Sequence, residues 1–130
     1  MNTNLENIQE IINNSDYVFT YTYGTFMSNN KDYKRVIVTE DSIFTIDNDN
    51  VNVENNKDKA DKVWQVITVL TGAIIECSEK SKELSHIKDS SKDEITLKMK
   101  DKNYLFSNKV NDEQLNNIYK NIVDKILSNL

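Results

Sequence analysis

Proline is absent from these 130 residues, glycine occurs only at Gly24 and Gly72, and Cys77, His86, Trp64 and Arg35 are each the only residue of their type. Each scarcity excludes something. Two isolated glycines cannot build a phosphate-cradling loop. One cysteine cannot make an intramolecular disulfide framework, so nothing points to an oxidising compartment. One histidine and one cysteine cannot complete a typical zinc site without carboxylates. No apolar run approaches the ~18 residues of a membrane span. The longest, Val63 to Ile75, is interrupted by Gln65, Thr68, Thr71 and Gly72. The first residues, Met1 to Asn7, lack the basic and apolar regions of a signal peptide. These features predict a cytoplasmic protein that does not enter a membrane.

Chemistry-bearing patterns are equally sparse. Asp47-Asn-Asp49-Asn-Val51 begins like a calcium loop. It then lacks an oxygen ligand at the fifth position, the glycine at the sixth (Asn52) and the glutamate at the twelfth (Asp58). His86 lies in a polar stretch between Glu83 and Asp89, nine residues from Cys77. The context Ile-Ile-Glu-Cys77-Ser has no nucleophile-elbow or oxidoreductase signature. The bland reading is preferred for both: a surface histidine and a small core cysteine. Asp93-Glu94 and Asp112-Glu113 fall where acids ordinarily offset the dipole of a starting helix or sit in loops. No catalytic residue, metal or cofactor is expected.

What the chain does have is asparagine, 19 residues of it, and lysine, which makes up all but one of its 16 basic residues. Lys, Asn and Ile share A/T-rich codons, and base composition is the simplest cause. The formal net charge is −5. Its distribution is more informative. Residues 40–61 hold seven acids (Glu40, Asp41, Asp47, Asp49, Glu54, Asp58 and Asp61) against Lys57 and Lys59, while acids and bases balance elsewhere. An acidic balance disfavours nucleic acid, whose phosphates need Lys and Arg to displace counterions. It favours a partner with a basic surface through electrostatic steering. The plain alternative is a solvated loop kept soluble by its charges.

Periodicity predicts an α+β fold. Thr3 to Glu6 fits a capping box, followed by Leu5, Ile8, Ile11 and Ile12 at helical spacing up to Asn13-Asn14-Ser15. Tyr17 to Tyr23 alternates, with Tyr17, Phe19, Tyr21 and Tyr23 on one face, and reads as a strand. Gly24 and Ser28 to Asp32 read as a connection. Tyr33 to Glu40 and Ser42 to Asp47 are strands joined by a short turn, which implies antiparallel neighbours. Asn48 to Lys57 reads as a loop in which Val51 and Val53 can extend an edge strand. Val63, Val66, Ile67, Leu70 and Ile74 lie on one helix face from Asp58 onward, against the β-branched content of that segment. Ser78 to Lys92 reads as a helix tail plus loop. Ile95 to Met99 and Tyr104 to Ser107 form a hairpin, and Asn111 with Gln114 caps a helix carrying Leu115, Ile118, Tyr119, Ile122 and Ile126.

The expectation is one domain over 1–130, an antiparallel sheet of about five strands with helices on one face, in the order αβββαββα. The aromatic strand face, continued by Phe26 and Met27, is either core covered by helices or the lining of a groove. In size and charge alone, with no motif behind it, the plan is similar to many bacterial immunity and inhibitor proteins. The charge confined to residues 40–61, with no catalytic signal beside it, favours a small non-enzymatic binding module of this inhibitor-like kind whose acidic residues Asp41, Asp47, Asp49, Glu54 and Asp58 meet a basic protein surface. The alternative is a small-ligand-binding or enzymatic domain with a pocket between the sheet and the 58–77 helix, using Tyr21 or Tyr23 as polar groups.

Overall fold

The structure is a computed structural model, and it describes residues 5–27, 30–48, 50–84 and 91–130. Helix α1 (Leu5–Asn14) leads into strands β1 (Tyr17–Met27), β2 (Asn30–Val38), β3 (Ile43–Asp47) and β4 (Asn50–Glu54). Helix α2 (Lys57–Ser81), strands β5 (Ser91–Met99) and β6 (Lys102–Ser107), and helix α3 (Glu113–Leu127) follow. All six strands form one antiparallel sheet in the order β4-β3-β2-β1-β5-β6. The order of elements follows the sequence expectation, with six strands in place of five.

The sixth strand is β4. Asn-Val-Asn-Val-Glu carries only two apolar side chains, and asparagine is a poor strand former. Pairing with β3 decides the matter: Val51 stands opposite Ile46 and Val53 opposite Phe44. The joining turn is tight because Asn48 adopts a φ of 54°, a left-handed conformation that asparagine tolerates. Asn48 also accepts a hydrogen bond from Tyr33 N–H at its Oδ1 (3.0 Å). β1 and β2 are longer than the alternation suggested, pairing as far as Met27 with Asn30.

Strand alternation splits the sheet into two faces. Phe19, Tyr21, Val36, Val38, Ile43, Ile95, Leu97 and Phe106 point to one, where they pack with Ala60, Val63, Ile67, Ile74 and Cys77 of α2 and Leu115, Tyr119, Ile122, Val123 and Ile126 of α3. Val18, Ile37, Phe44 and Ile46 point to the other, where Ile8 of α1 covers them. The helices are therefore on both faces: α2 and α3 share one and α1 takes the other, a correction to the one-face expectation. The sequence could not foresee this, because α1's stripe of Ile8, Ile11 and Ile12 fits either face of a sheet whose strands alternate. At ~1.5 Å per residue the 25 residues of α2 reach about 37 Å. Six strands at ~4.8 Å spacing are only about 24 Å across, so α2 is longer than the sheet is wide.

The aromatic face of β1 is mainly core. Phe19 and Tyr21 are buried, and Tyr17 meets Trp64 edge-on with ring centres 6.4 Å apart. Tyr23 is the exception, 48% exposed near the far end of the strand. Helix α2 continues to Ser81, past the expected end near Cys77. Ser78 and Ser81 are fully buried, yet their hydroxyls donate back to the carbonyls of Ile75 (2.8 Å) and Ser78 (2.9 Å). That local bonding lets two polar residues sit in a core-facing turn. Helix α3 is capped by Asp112, which accepts from Leu115 N–H (3.0 Å), one residue beyond the expected Asn111. The Thr3 cap, His86 and the side chains of Phe26 and Met27 lie outside the described residues.

Candidate functional site

The acidic segment occupies the β2–β3 turn, the β3–β4 hairpin and the first turns of α2. The β2–β3 turn is tied down by Thr39. Its N–H donates to Ser42 O (2.9 Å), and its buried Oγ1 accepts from Ser42 N–H (3.1 Å). Its carbonyl accepts from Trp64 Nε1 (2.8 Å), which fastens the turn to α2. Ser42 Oγ donates to Asn55 Oδ1 (2.7 Å), and Asn56 caps α2 by accepting from Lys59 N–H (3.1 Å). Residues far apart in the segment are thus held at one end of the sheet.

Five acids collect there. Glu54, the last residue of β4, pairs with Lys59 (3.0 Å), and Asp61 pairs with Lys57 (3.2 Å). Asp58 lies in the first turn of α2, where a negative charge complements the helix dipole. Glu40 and Asp41 are exposed in the turn. The Lys57 ammonium has its pKa raised, first by the hydrogen bond and charge of Asp61 and then by Asp41 and Glu40, so those turn acids reach it. Lys62 is the next cation along α2. The pairs at Lys57 and Lys59 are solvent-exposed and organise the surface more than they stabilise it.

Of the five residues singled out in the sequence, Asp41, Glu54 and Asp58 share this end. Asp47 does not. It sits at the opposite end of β3, about 14 Å along the strand from Ile43 at ~3.4 Å per residue. Asp49 lies outside the described residues. Glu40 and Asp61 belong to the cluster although they were not singled out; both lie in the acidic run, and helical spacing places Asp61 one turn from Lys57.

A second polar group lies under α3. The Asp93 carboxylate accepts from Tyr119 Oη (2.7 Å) and from Asn108 Nδ2 (2.8 Å). Burial, followed by the Asp93 charge, pushes the Tyr21 phenol up to about 12. Burial and the bond to Asp93 push Tyr119 up much further. Both phenols are therefore neutral donors at physiological pH. With a donor on each carboxylate oxygen, Asp93 is a latch between β5, the segment after β6 and α3. Nothing in the sequence marks this pairing, since Asp93 and Tyr119 are 26 residues apart. Tyr21 is thus close enough to α3 for the Asp124 charge to act on it, Tyr23 is exposed, and the sheet-facing side of α2 is filled by fully buried Ala60, Val63, Ile67 and Ile74. A groove of about 490 Å³ does exist elsewhere, between the second half of α2 and the start of α3, lined by Glu76, Cys77, Lys80, Glu83 and Asp112 among others. Cys77 is buried there, and burial raises its thiol pKa, so the reactive thiolate is disfavoured.

Among the described residues no cluster of three potential metal ligands occurs, and no helix is long and apolar enough to cross a membrane. No protein-family model matches this chain, and a comparison with curated proteins finds no match.

Proposed function

We propose that the chain is a non-enzymatic binding module, of the immunity or inhibitor kind, that engages a protein partner with a basic surface. The observation that carries this reading is the convergence of Glu40, Asp41, Glu54, Asp58 and Asp61 on one end of the sheet, on a turn held by Thr39 and Trp64. Such a surface loses little freedom on docking, and preorganisation improves affinity by lowering the ordering cost. Clustered exposed acids also raise the encounter rate with a cationic partner.

The test begins with affinity capture from the source organism. Association rates are then measured at low and moderate salt for the wild type and for Glu40→Gln/Asp41→Asn/Asp58→Asn. The triple variant is expected to associate about tenfold more slowly at low salt, with a weaker salt dependence. Asp47→Asn, at the other end of β3, serves as the control with little effect. Equal rates for triple variant and wild type at both salts would sink the proposal. A second reading, a small-ligand or enzymatic domain, draws on the groove between α2 and α3, whose volume lies within the ~300–1,000 Å³ range of small-molecule sites. A small molecule that raises the melting temperature, with no protein captured, favours that reading.

A further inference from the structure

The sheet face under α1 has an apolar half and a polar half. Where the packing of Ile8 on Val18 and Ile37 gives out, Gln9, Thr20, Arg35, Thr96, Lys98 and Asn103 surround a cavity of about 120 Å³ that opens to solvent on one side. The antiparallel register builds it: Thr20 stands between Ile37 and Thr96, and Val18 stands beside Lys98. Every polar group in this lining can donate a hydrogen bond, two of them carry positive charge, and no carboxylate is among the described residues that line it. This is notable in a chain of net charge −5 whose only arginine is Arg35.

Two details give the cavity a chemical preference. Lys98 Nζ donates to the carbonyls of Ile12 (2.9 Å) and Asn13 (3.2 Å), the last turn of α1. Those bonds fix the ammonium at the rim and leave one of its three N–H groups over. Arg35 Nε is buried, and among the described residues no atom accepts a hydrogen bond from it. Buried donors are almost always met, so an unmet guanidinium N–H on a residue that lines a cavity calls for an acceptor. Glu94 shares the register row of Arg35, on the far side of Thr22 and about two strand spacings (~10 Å) off, and does not line the cavity. The volume exceeds the ~30 Å³ share of one water. It falls well short of the ~300 Å³ at which organic-ligand pockets begin.

We propose that this cavity is a binding site for a phosphate-sized tetrahedral oxyanion. Arg35 presents the fork that suits such oxygens, Lys98 supplies a fixed point charge, and the Thr20 and Thr96 hydroxyls donate from the sheet. The oxyanion is either free inorganic phosphate or the terminal group of a phosphomonoester whose remainder projects through the open side.

The single arginine makes the test direct, because its Nε–H gives one resonance in a ¹H–¹⁵N spectrum. The full chain is titrated with inorganic phosphate, methyl phosphate and acetate, with chloride holding ionic strength constant. Phosphate is expected to move the Arg35 resonance saturably and to raise the melting temperature, as a ligand of the folded state must. Arg35→Gln should weaken binding by about tenfold or more, as expected for loss of a charge-assisted bond. Thr96→Val should weaken it less, and Glu94→Gln should tighten it by removing a nearby like charge. Methyl phosphate binding as well as phosphate identifies a monoester as the source; binding of phosphate alone identifies the free ion. The proposal is overturned if phosphate acts no differently from chloride, if acetate binds as tightly as phosphate, or if Arg35→Gln leaves binding unchanged. Should Arg35→Gln fail to fold, Thr96→Val decides by the same readout.

Discussion

The two faces of the sheet are made from the same strands and closed by very different means. On one, α2 and α3 lay 25 and 15 residues of helix over Phe19, Val36, Val38, Ile95, Leu97 and Phe106; beneath them Asp93 accepts from Tyr119 and Asn108, while Asn108 Oδ1 and Asn116 Oδ1 are buried without a partner among the described residues. On the other, α1 has 10 residues, about 15 Å of helix, and seals only Val18, Ile37, Phe44 and Ile46. Beyond its reach Leu105 is 48% exposed and Arg35 keeps a buried Nε without an acceptor among the described residues. Helix length sets the division: one face becomes a core, and the other a small core beside a polar surface. The first face carries most of the buried apolar residues, and the second carries the cavity lined by Arg35 and Lys98.

The largest expected effect tests the closed face. Phe106 is fully buried and packs edge-on against Tyr119, with ring centres 5.3 Å apart. Phe106→Ala should cost about 3–5 kcal/mol in a urea melt. Ile8→Ala on the α1 face should cost less, about 2 kcal/mol, because a short helix on a partly open surface can settle into the space left. If Ile8→Ala proves the costlier change, the two faces contribute in the reverse order to the one argued here.

A smaller effect sharpens the contrast in polar groups. Tyr119→Phe removes one of the two side-chain donors to Asp93 and should cost about 1–2 kcal/mol near neutral pH. The alkaline limb follows from the same cluster. Tyr21 and Tyr119 ionise at higher pH in the folded chain than the ordinary phenol value of 10.0, so the native state holds more protons than the unfolded state above that value. Their contribution is therefore complete below pH 10 and is lost as pH rises through about 12, the range of Tyr21. Tyrosinate absorbance should show two of the six tyrosines resisting ionisation until the chain unfolds. In Tyr119→Phe only Tyr21 should resist; two tyrosines still resisting in that variant would refute the assignment of Tyr119.

The smallest change concerns the outer side of α2, where neither face is involved. Gly72 is exposed, and a Cβ added there meets nothing within 4 Å. Gly72→Ala should raise stability by about 1 kcal/mol through helix propensity alone. A loss in thermal melts would mean that the outer surface of α2 is packed against something.

Much of this architecture is legible in residue order. Alternation at Tyr17 to Tyr23 and Ile95 to Met99, and helical spacing at Val63 to Ile74 and Leu115 to Ile126, mark elements that the structure contains, because side-chain periodicity is imposed by the backbone itself. The failures fall where polar residues are used inside. Asn50–Glu54 reads first as loop, with Val51 and Val53 able to extend an edge strand, because its second face meets only solvent; Ser78 to Ser81 reads as a helix tail and is one, but its burial is hidden because the hydroxyls are satisfied within the helix. Ser91 and Lys92 read as the end of a loop and Asp93-Glu94 as ordinary loop acids, whereas β5 begins at Ser91 and Asp93 serves Tyr119 on a different element.

The acidic run, too, is visible as composition, but its geometry is not. Residue order alone determines the class of fold, the number of helices and the sign of the charge in residues 40–61, all of them local properties of a chain read a few residues at a time. Tertiary structure alone decides that α1 and α2 lie on opposite faces, that Asp41 and Asp61 share an end of the sheet while Asp47 is carried away from them, and that Arg35 and Lys98 come to line one cavity. The physical reason is that strand pairing joins residues by register and not by distance along the chain, so β1 can set Arg35 on one side of it and Lys98 on the other although 62 positions separate them in the sequence.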